Sequence, residues 1–485
     1  MEKVAIIGMG ISGMAVAAAY EKEVDPKNVE IDCYDSEESF GRGYPYRKDS
    51  DQIILNLKTR KISYDYQNND DFANWLVSKN MPLNDYTSRN IFGIYTSDRL
   101  DDTLKALGAK KITQNVIRLD WLGDSKQWEI ETNHGTLRQY DRVHLCAGEL
   151  GHKDPYNLSN SSGYIGDVYP VEEKLNHIKS NDRTCIIGVG LTGVDVASYL
   201  LNERNLEKLY MFSKTNIFPT IRVEPVQLEV KFMTLERCNK LIEKNNGTIS
   251  FEEFEELFNK EMKAHGLDYM EFVKEHMSGG IEGLKANLAN PQALGKVQAL
   301  LPPLNLALNK IWTALNSRDR IIFRAKYHPF MCLNRSPLPL PSAELLIEAS
   351  DSGRLVLFEN VSDIQMADDG ESFEIITPDL SLGVEAEKVV ASCKWVCNAT
   401  GLDTSLNSLD RKNTLIGSLL DKRLLQRDDY GGVTVLSKNM SALSPRFGNL
   451  DTLHVHGVLV SGVQYRNNST MIIQKTAHDL MKEIY

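Results

Sequence analysis

Short apolar runs, each followed by a glycine-rich turn and then a stretch of helical period, organise this chain. Val4-Ala5-Ile6-Ile7 contains no polar position, the pattern of a strand buried on both faces. It leads into Gly8-Met9-Gly10-Ile11-Ser12-Gly13 and then a helical stretch from Met14 to Lys22. A second strand, Val29 to Tyr34, ends at Asp35, about twenty residues past Gly13, the spacing expected of an acid that accepts from a ribose hydroxyl. The same order returns later. Thr184 to Ile187 reads as a strand, Gly188-Val189-Gly190-Leu191-Thr192-Gly193 as a second glycine fingerprint, Val194 to Asn202 as a helix and Leu209 to Phe212 as the next strand.

Each fingerprint has a physical job. The first glycine permits a tight turn, the second lets backbone approach a pyrophosphate, and the third lets helix and strand pack closely. The helix N-terminus then offers free amides and the positive end of its dipole to the phosphates. A side chain introduced at Gly10, as in Gly10→Val, is therefore expected to obstruct a pyrophosphate and strip the bound nucleotide. Two further strands end in small residues: Arg142-Val143-His144-Leu145-Cys146-Ala147-Gly148 and Trp395-Val396-Cys397-Asn398-Ala399-Thr400-Gly401. Both read as return strands whose exits lie close to a cofactor. Val389 to Cys397 reads as one continuous strand, with Cys393 and Cys397 on one face.

Residues 226–316 differ. Phe251-Glu252-Glu253-Phe254-Glu255-Glu256-Leu257-Phe258 repeats apolar positions at three and four, which predicts a mainly helical insertion that Gly279-Gly280 and Pro302-Pro303 cut into pieces. The fold class is therefore α/β: two Rossmann-like dinucleotide-binding domains with a helical insertion. The expected division is 1–170 with 390–485, 171–225 with 318–400, and 226–317.

Composition narrows the function. The 485 residues are 42% hydrophobic and 25% charged, as in ordinary globular proteins. The net charge of −11 argues against a dedicated nucleic-acid or anionic-membrane partner. Val4 to Tyr20 is apolar, but its glycines mark it as strand–turn–helix rather than a membrane anchor, and a cytosolic protein is expected. The 7 cysteines form no C-x-x-C and read as buried thiols. The histidines show no metal-ligand spacing, so no metal is expected. His454 and His456 lie two apart on a strand, able to face one side.

Two fingerprints with return strands ending in Ala-Gly and Ala-Thr-Gly resemble the two-dinucleotide-binding flavoprotein superfamily, which includes flavin-containing monooxygenases, N-hydroxylases and disulfide reductases. Tyr34-Asp35-Ser36 with Phe40-Gly41-Arg42-Gly43-Tyr44, Ile54-Leu55-Asn56-Leu57, Arg89 to Tyr95, and Trp312 to Asp319 with Phe323 and Asn334-Arg335 are similar to a bacterial group of FAD/NAD(P)-binding proteins within it. The resemblance implies FAD in the first fold, with Gly8, Gly10, Ser12 and Gly13 at the pyrophosphate, Asp35 on the ribose and Val116, in a strand from Ile112 to Leu119, at the adenine. Gly41, Gly43 and Asn56 would lie along the flavin side. Ala147, Gly148 and Gly457 would line the same cofactor. A closing helix capped by Asn468 or Ser469 would point its positive end at the flavin ring. It implies NADPH in the second fold, on Gly188, Gly190, Thr192, Gly193, Ala399, Thr400 and Gly401. The strand after the second fingerprint ends at Ser213-Lys214, where NAD sites place an acid. A hydroxyl and a cation there, with Arg222 adding a second cation, suit a 2′-phosphate.

The cysteine pair of disulfide reductases and the substrate boxes of lysine- and ornithine-type N-hydroxylases are not found. The implied activity is an FAD- and NADPH-dependent monooxygenase that uses molecular oxygen, through a flavin hydroperoxide, on a small polar amine or amino acid. Arg335 and Tyr465 are the substrate-side candidates. A flavin oxidase or dehydrogenase without oxygen insertion, and a flavin-binding sensor that docks a partner through its helices, stand as alternatives. Whether the chain forms a homo-oligomer is left open.

Overall fold

A computed structural model describes residues 1–148, 150–224, 226–379, 387–465 and 469–485. The chain forms two compact units. The first comprises 1–51, 57–152 and 402–485, and the second 52–56 and 153–401.

The first unit grows from the apolar run at the N-terminus. β1 (Glu2–Ile7) pairs in parallel with β2 (Val29–Tyr34), and β2 in turn with β3 (Lys110–Ile112). A separate antiparallel sheet follows, made of β4 (Val116–Leu122), β5 (Gln127–Thr132) and β6 (Leu137–Tyr140). β7 (Arg142–Leu145) then returns to the other side of β1. The strand Gly448–Val455, far along the chain, pairs in parallel with β7, and Ser441–Ser444 adds an antiparallel edge. α1 (Ile11–Glu23) is buried along Gly13–Ala17, Ala19 and Tyr20, so it is covered nearly all round. Each fully buried side chain of the size of its Met14 or Val16 stabilises by about 1.5–3 kcal/mol. α2 (Asp71–Ser78) and α3 (Arg89–Leu107) complete the body, with Ser88 capping α3 through a side-chain bond to the Ile91 amide. A last helix, Thr470–Ile484, joins α1 through bonds from His478 to Glu23 and from Tyr485 to Tyr20.

The second unit repeats the plan. Its parallel sheet has the order β11 (Leu355–Leu357), β10 (Leu209–Phe212), β9 (Thr184–Ile187), β15 (Trp395–Asn398), β8 (Tyr164–Ile165). β12 (Asp363–Met366), β13 (Phe373–Pro378) and β14 (Glu387–Cys393) form its antiparallel companion. α4 (Val171–Lys174) precedes β9, and α5 (Leu191–Asn202) follows it, buried from Gly193 to Leu201.

The helical block spans α6 (Leu235–Lys244), α7 (Phe251–Ala264), α8 (Tyr269–His276), α9 (Gly280–Ala289), α10 (Pro291–Ala314), α11 (Ser317–Lys326) and α12 (His328–Arg335), before α13 (Leu340–Asp351) rejoins the sheet. Its core is aromatic, with Phe254, Phe258, Phe323, Tyr327 and Phe330 all fully buried. Ser250 and Glu253 form a reciprocal capping box at the start of α7, which satisfies two end amides. Glu261 of α7 is fully buried and accepts from three successive amides, Lys231, Phe232 and Met233, and meets His265 at 2.9 Å.

Four expectations change. Val389 to Cys397 is two strands in two sheets: β14 ends at Cys393 and β15 begins at Trp395. Lys394 breaks the run because its amide turns to the Arg183 carbonyl. The stretch from Ile112 to Leu119 is likewise broken, between β3 and β4. Pro302 and Pro303 do not end a helix, since α10 runs through both. They face solvent while Leu300, Leu301, Leu304 and Leu308 are buried opposite, so packing on the buried side holds the helix through the two prolines. The units also divide at 152/153 and 401/402 rather than at 170 and 390–400, because β8 and β15 pair with each other in the second sheet. No helix of the described residues is long and apolar enough to cross a membrane.

Candidate functional site

Both glycine loops take one geometry, set by the same backbone bonds. In the first unit the Gly8 amide donates to the Tyr34 carbonyl at 2.8 Å and Cys146 N to Ile7 O at 2.8 Å. In the second, Gly188 N donates to Phe212 O at 2.8 Å and Ala399 N to Ile187 O at 2.9 Å. Gly8 and Gly188 have φ of 92° and 114°, the region glycine enters without strain. A Cβ at Gly8 would meet the Cys146 carbonyl at 2.8 Å, and one at Gly188 the Ala399 carbonyl at 2.7 Å. The exits of the return strands thus press on the turns. The third glycines hold the helix against the turn: a Cβ at Gly13 would stand 2.0 Å from Gly8 O, and one at Gly193 2.1 Å from Gly188 O.

The second glycines differ. A Cβ at Gly10 would come 3.0 Å from Gly43 Cα, whereas one at Gly190 would meet nothing within 4 Å beyond its own turn among the described residues. Gly10 is therefore packed by the protein itself, and a valine there would meet the Gly43 backbone as well as any pyrophosphate. The partner segment is stitched in place by Gly41 N donating to Met9 O at 2.8 Å and Ser97 Oγ donating to Phe40 O at 2.9 Å. The signal for this contact was the second glycine pair, Gly41 and Gly43, both at positive φ.

Gly190 supplies the cleaner experiment. It caps α5 at φ −74°, a conformation any residue adopts. Gly190→Val should leave the melting temperature within a few degrees of wild type and weaken nicotinamide-nucleotide binding at least tenfold, read by titration calorimetry.

Asp35 sits half-buried at the end of β2. Its Oδ2 accepts from Met9 N at 2.6 Å and its Oδ1 from Ser36 N at 2.8 Å, so the carboxylate is held against the first loop. Ser12, on the first turn of α1, lies beside Gly457, where a Cβ would stand 2.4 Å from Ser12 Oγ. Gly457 is thus brought to the first glycine loop. Ser469 is the N-cap of that helix and makes no side-chain cap bond, and Tyr465 is buried. Asn468 lies outside the described residues. Ala147 and Gly148 follow β7, and Val116 opens β4 half-buried.

In the second unit Ser213 and Asn216 bond reciprocally, Ser213 N to Asn216 Oδ1 at 2.6 Å and Asn216 N to Ser213 Oγ at 2.9 Å, which shapes the turn that exposes Lys214. Arg222 bonds within the second unit. Its Nε donates to the carbonyl of Asn56 at 2.6 Å, so a residue expected at a 2′-phosphate and one expected beside the flavin meet each other. Thr192 lies on the first turn of α5, and Thr400 Oγ1 donates to Asn398 Oδ1 at 2.7 Å while Gly401 takes φ 84°. Arg335 ends α12, next to Asn334, which is bonded to Thr220 at 3.2 Å.

Both cradles fit a dinucleotide: a helix N-terminus, a close backbone turn and, at Gly190, open space over the loop. Sequence reading missed a buried cluster under the first sheet. His144, His454 and His456 lie together, His144 ring against ring with the other two at 5.1 and 5.3 Å. The two strands that bear them are far apart in sequence, and only the pairing of Gly448–Val455 with β7 joins them.

No curated protein matches the chain. Residues 5–150 match a family model described as FAD-NAD(P)-binding. Solved structures align over the whole chain at low identity. L-lysine 6-monooxygenase from Pseudomonas syringae is 10% identical, covers 100% of this chain and 99% of its own, and gives a TM-score of 0.59. Ornithine hydroxylase from Pseudomonas aeruginosa is 12% identical, with 100% and 98% covered and a TM-score of 0.57. The ornithine N-hydroxylase of Kutzneria sp. 744, with reduced FAD, NADP⁺ and L-ornithine, is 11% identical, with 100% and 99% covered and a TM-score of 0.53. At such identities the likeness is one of fold. Residues 5–150 thus match an FAD-NAD(P)-binding model, in a chain that has the overall fold of these flavin-dependent N-hydroxylases and monooxygenases.

Proposed function

We propose that this protein is an FAD- and NADPH-dependent monooxygenase that oxidises a small polar amine or amino acid. The observation that carries the reading is the duplication of one glycine-loop geometry in a chain with the N-hydroxylase fold: a protein that only bound flavin would have no use for the second loop. FAD supplies the electron and oxygen chemistry when bound. The chain's part is to hold it at Gly8–Gly13 and Asp35, to present the nicotinamide nucleotide from Gly188–Gly193, and to exclude water from the reacting atoms.

The reading is tested with purified protein, NADPH, labelled oxygen and a panel of polyamines and basic amino acids. A substrate that accelerates NADPH oxidation and emerges carrying one labelled oxygen atom supports it. Hydrogen peroxide equal to the NADPH consumed, with every compound tested, would move the protein to the oxidase reading.

Nucleotide preference gives a second prediction. Lys214 stands at the end of β10 where an acid would select NAD, and it is exposed beside the Ser213 turn. Lys214→Glu should raise the KM for NADPH about tenfold, the worth of one charge-assisted bond, and leave that for NADH within about twofold. Equal wild-type KM values for the two nucleotides would overturn the assignment.

A further inference from the structure

A hydrogen-bonded chain crosses the first unit from its surface to the loop beside the first glycine turn. Tyr485 Oη donates to a carboxylate oxygen of Glu2. Tyr485 Oη and Tyr20 Oη lie 3.2 Å apart, Tyr20 Oη and His144 Nε2 2.9 Å, and His144 Nδ1 and His456 Nε2 3.1 Å. Tyr20 and His144 are fully buried and His456 nearly so. His456 then lines a cavity of about 10 Å³, with Gly457, Gln464 and Thr476 among the other lining residues. That is about the room one water needs. Gln464 Oε1 is buried there with no hydrogen-bond partner among the described residues.

The direction of the chain follows from its outer end. An ionised carboxylate only accepts, so the Tyr485 proton points to Glu2. The Tyr20 proton must then point to Tyr485, and His144 must carry its proton on Nε2 to donate to Tyr20. His144 Nδ1 is thereby an acceptor, filled by the Nε2 proton of His456. His456 Nδ1 is left as a lone pair at the inner end. Every donor points outward, an order that one proton entering at His456 Nδ1 and one leaving at Glu2 would carry through and reverse.

The surrounding charges keep the rings neutral. Arg142, on β7, donates to Glu2 Oε1 at 3.0 Å and bonds His454 Nε2 at 2.7 Å, so His454 accepts there and donates from Nδ1 to the Asn439 carbonyl at 2.8 Å. Burial, the neighbouring imidazoles and Arg142 hold His144 well below its ordinary value, and burial and His454 bring His456 down to about 3. Neither ring stores a proton at neutral pH, and each can pass one between its two nitrogens.

We infer that Glu2, Tyr485, Tyr20, His144 and His456 form a proton path between solvent and the interior beside the first dinucleotide loop, and that these residues serve the reaction by moving a proton rather than by touching a reactant. This inference rests on the flavin reading only for its use, not for its existence. Oxidation of the anionic reduced flavin by two ferricyanide ions withdraws two electrons and sets free one proton, which must reach solvent.

Two measurements test the path. Nitrogen-15 NMR of the histidine side chains should find His144 and His456 both protonated on Nε2. A proton on Nδ1 of either would overturn the chain whatever the protein binds. In stopped flow, dithionite-reduced protein freed of excess reductant is mixed with ferricyanide and a pH-indicator dye. Wild type should release one proton per flavin in step with the return of flavin absorbance. In Tyr20→Phe, which removes one hydroxyl and keeps the ring, proton release should lag at least tenfold behind absorbance. Tyr140→Phe, which removes a buried hydroxyl off the path, should behave as wild type. Synchronous release in Tyr20→Phe would overturn the proposal. A protein that binds no flavin would refute the proposed function and leave the NMR test standing.

Discussion

Gly13→Ala should cost about 3 kcal/mol of stability and leave the purified protein without flavin. The new Cβ would stand 2.0 Å from the Gly8 carbonyl oxygen and 3.0 Å from its carbon. Both are backbone atoms, and the Gly8 amide is already held by Tyr34 O, so no side chain can rotate away to relieve the contact. Overpacking in a fixed core costs about 1–3 kcal/mol, and relief here requires α1 to move off the sheet it is buried against. The same movement withdraws the helix N-terminus from the phosphates. Urea denaturation should give a lower midpoint, and the absorbance near 450 nm should vanish from the purified protein. A variant that keeps the wild-type midpoint and full flavin would show that the loop is not built as described.

The second large effect belongs to Glu261. Its carboxylate is fully buried and gathers three amides in a row, from Lys231 to Met233, so it fastens the strand of chain before α6 to α7. Glu261→Ala would strand those amides in a dry site, at about 1–3 kcal/mol for each donor left without a partner. We expect about 3 kcal/mol or more, with loss of the helical block's protease resistance before that of the sheets. Burial raises the Glu261 pKa, but the three amides and His265 outweigh it and hold the group below its ordinary 4.5. A depressed carboxylate contributes its full stability above the unfolded value and loses it as pH falls through the folded one. The wild-type advantage over Glu261→Ala should therefore be constant from pH 5 to 7 and shrink progressively below about 4.5. An advantage that grew on acidification would contradict the clamp.

The sheets and their glycine turns were legible because each rests on local signals: an apolar run with no polar position, a glycine at each steric pinch, and a helix directly after. Val4 to Gly13 and Thr184 to Gly193 both carry all three. The failures share a cause as well. Val389 to Cys397 looks like one strand because both pieces are apolar, and only the long-range bond from Lys394 to Arg183 parts them. Pro302-Pro303 looks like a stop because propensity is local, while the leucines that hold α10 together act through tertiary packing. The bond from Arg222 to the Asn56 carbonyl joins residues far apart in sequence and left no local signal. The histidine cluster was half visible, since His454 and His456 were seen to share a side. His144 joins them from a strand about 300 residues away, a distance no periodicity spans.

The strand pairing also sets an order of assembly on the ribosome. β7 waits for its outer neighbour until Gly448–Val455 has been made, and α1 for the helix Thr470–Ile484 that bonds to it. The second unit, apart from residues 52–56, is one continuous stretch from 153 to 401, so it can close while the first is still incomplete. During synthesis β7 therefore leaves the first sheet with an unpaired edge until Gly448–Val455 emerges. Shortened chains ending near residue 400 should accordingly yield a folded second unit tethered to a sticky, chaperone-bound first one.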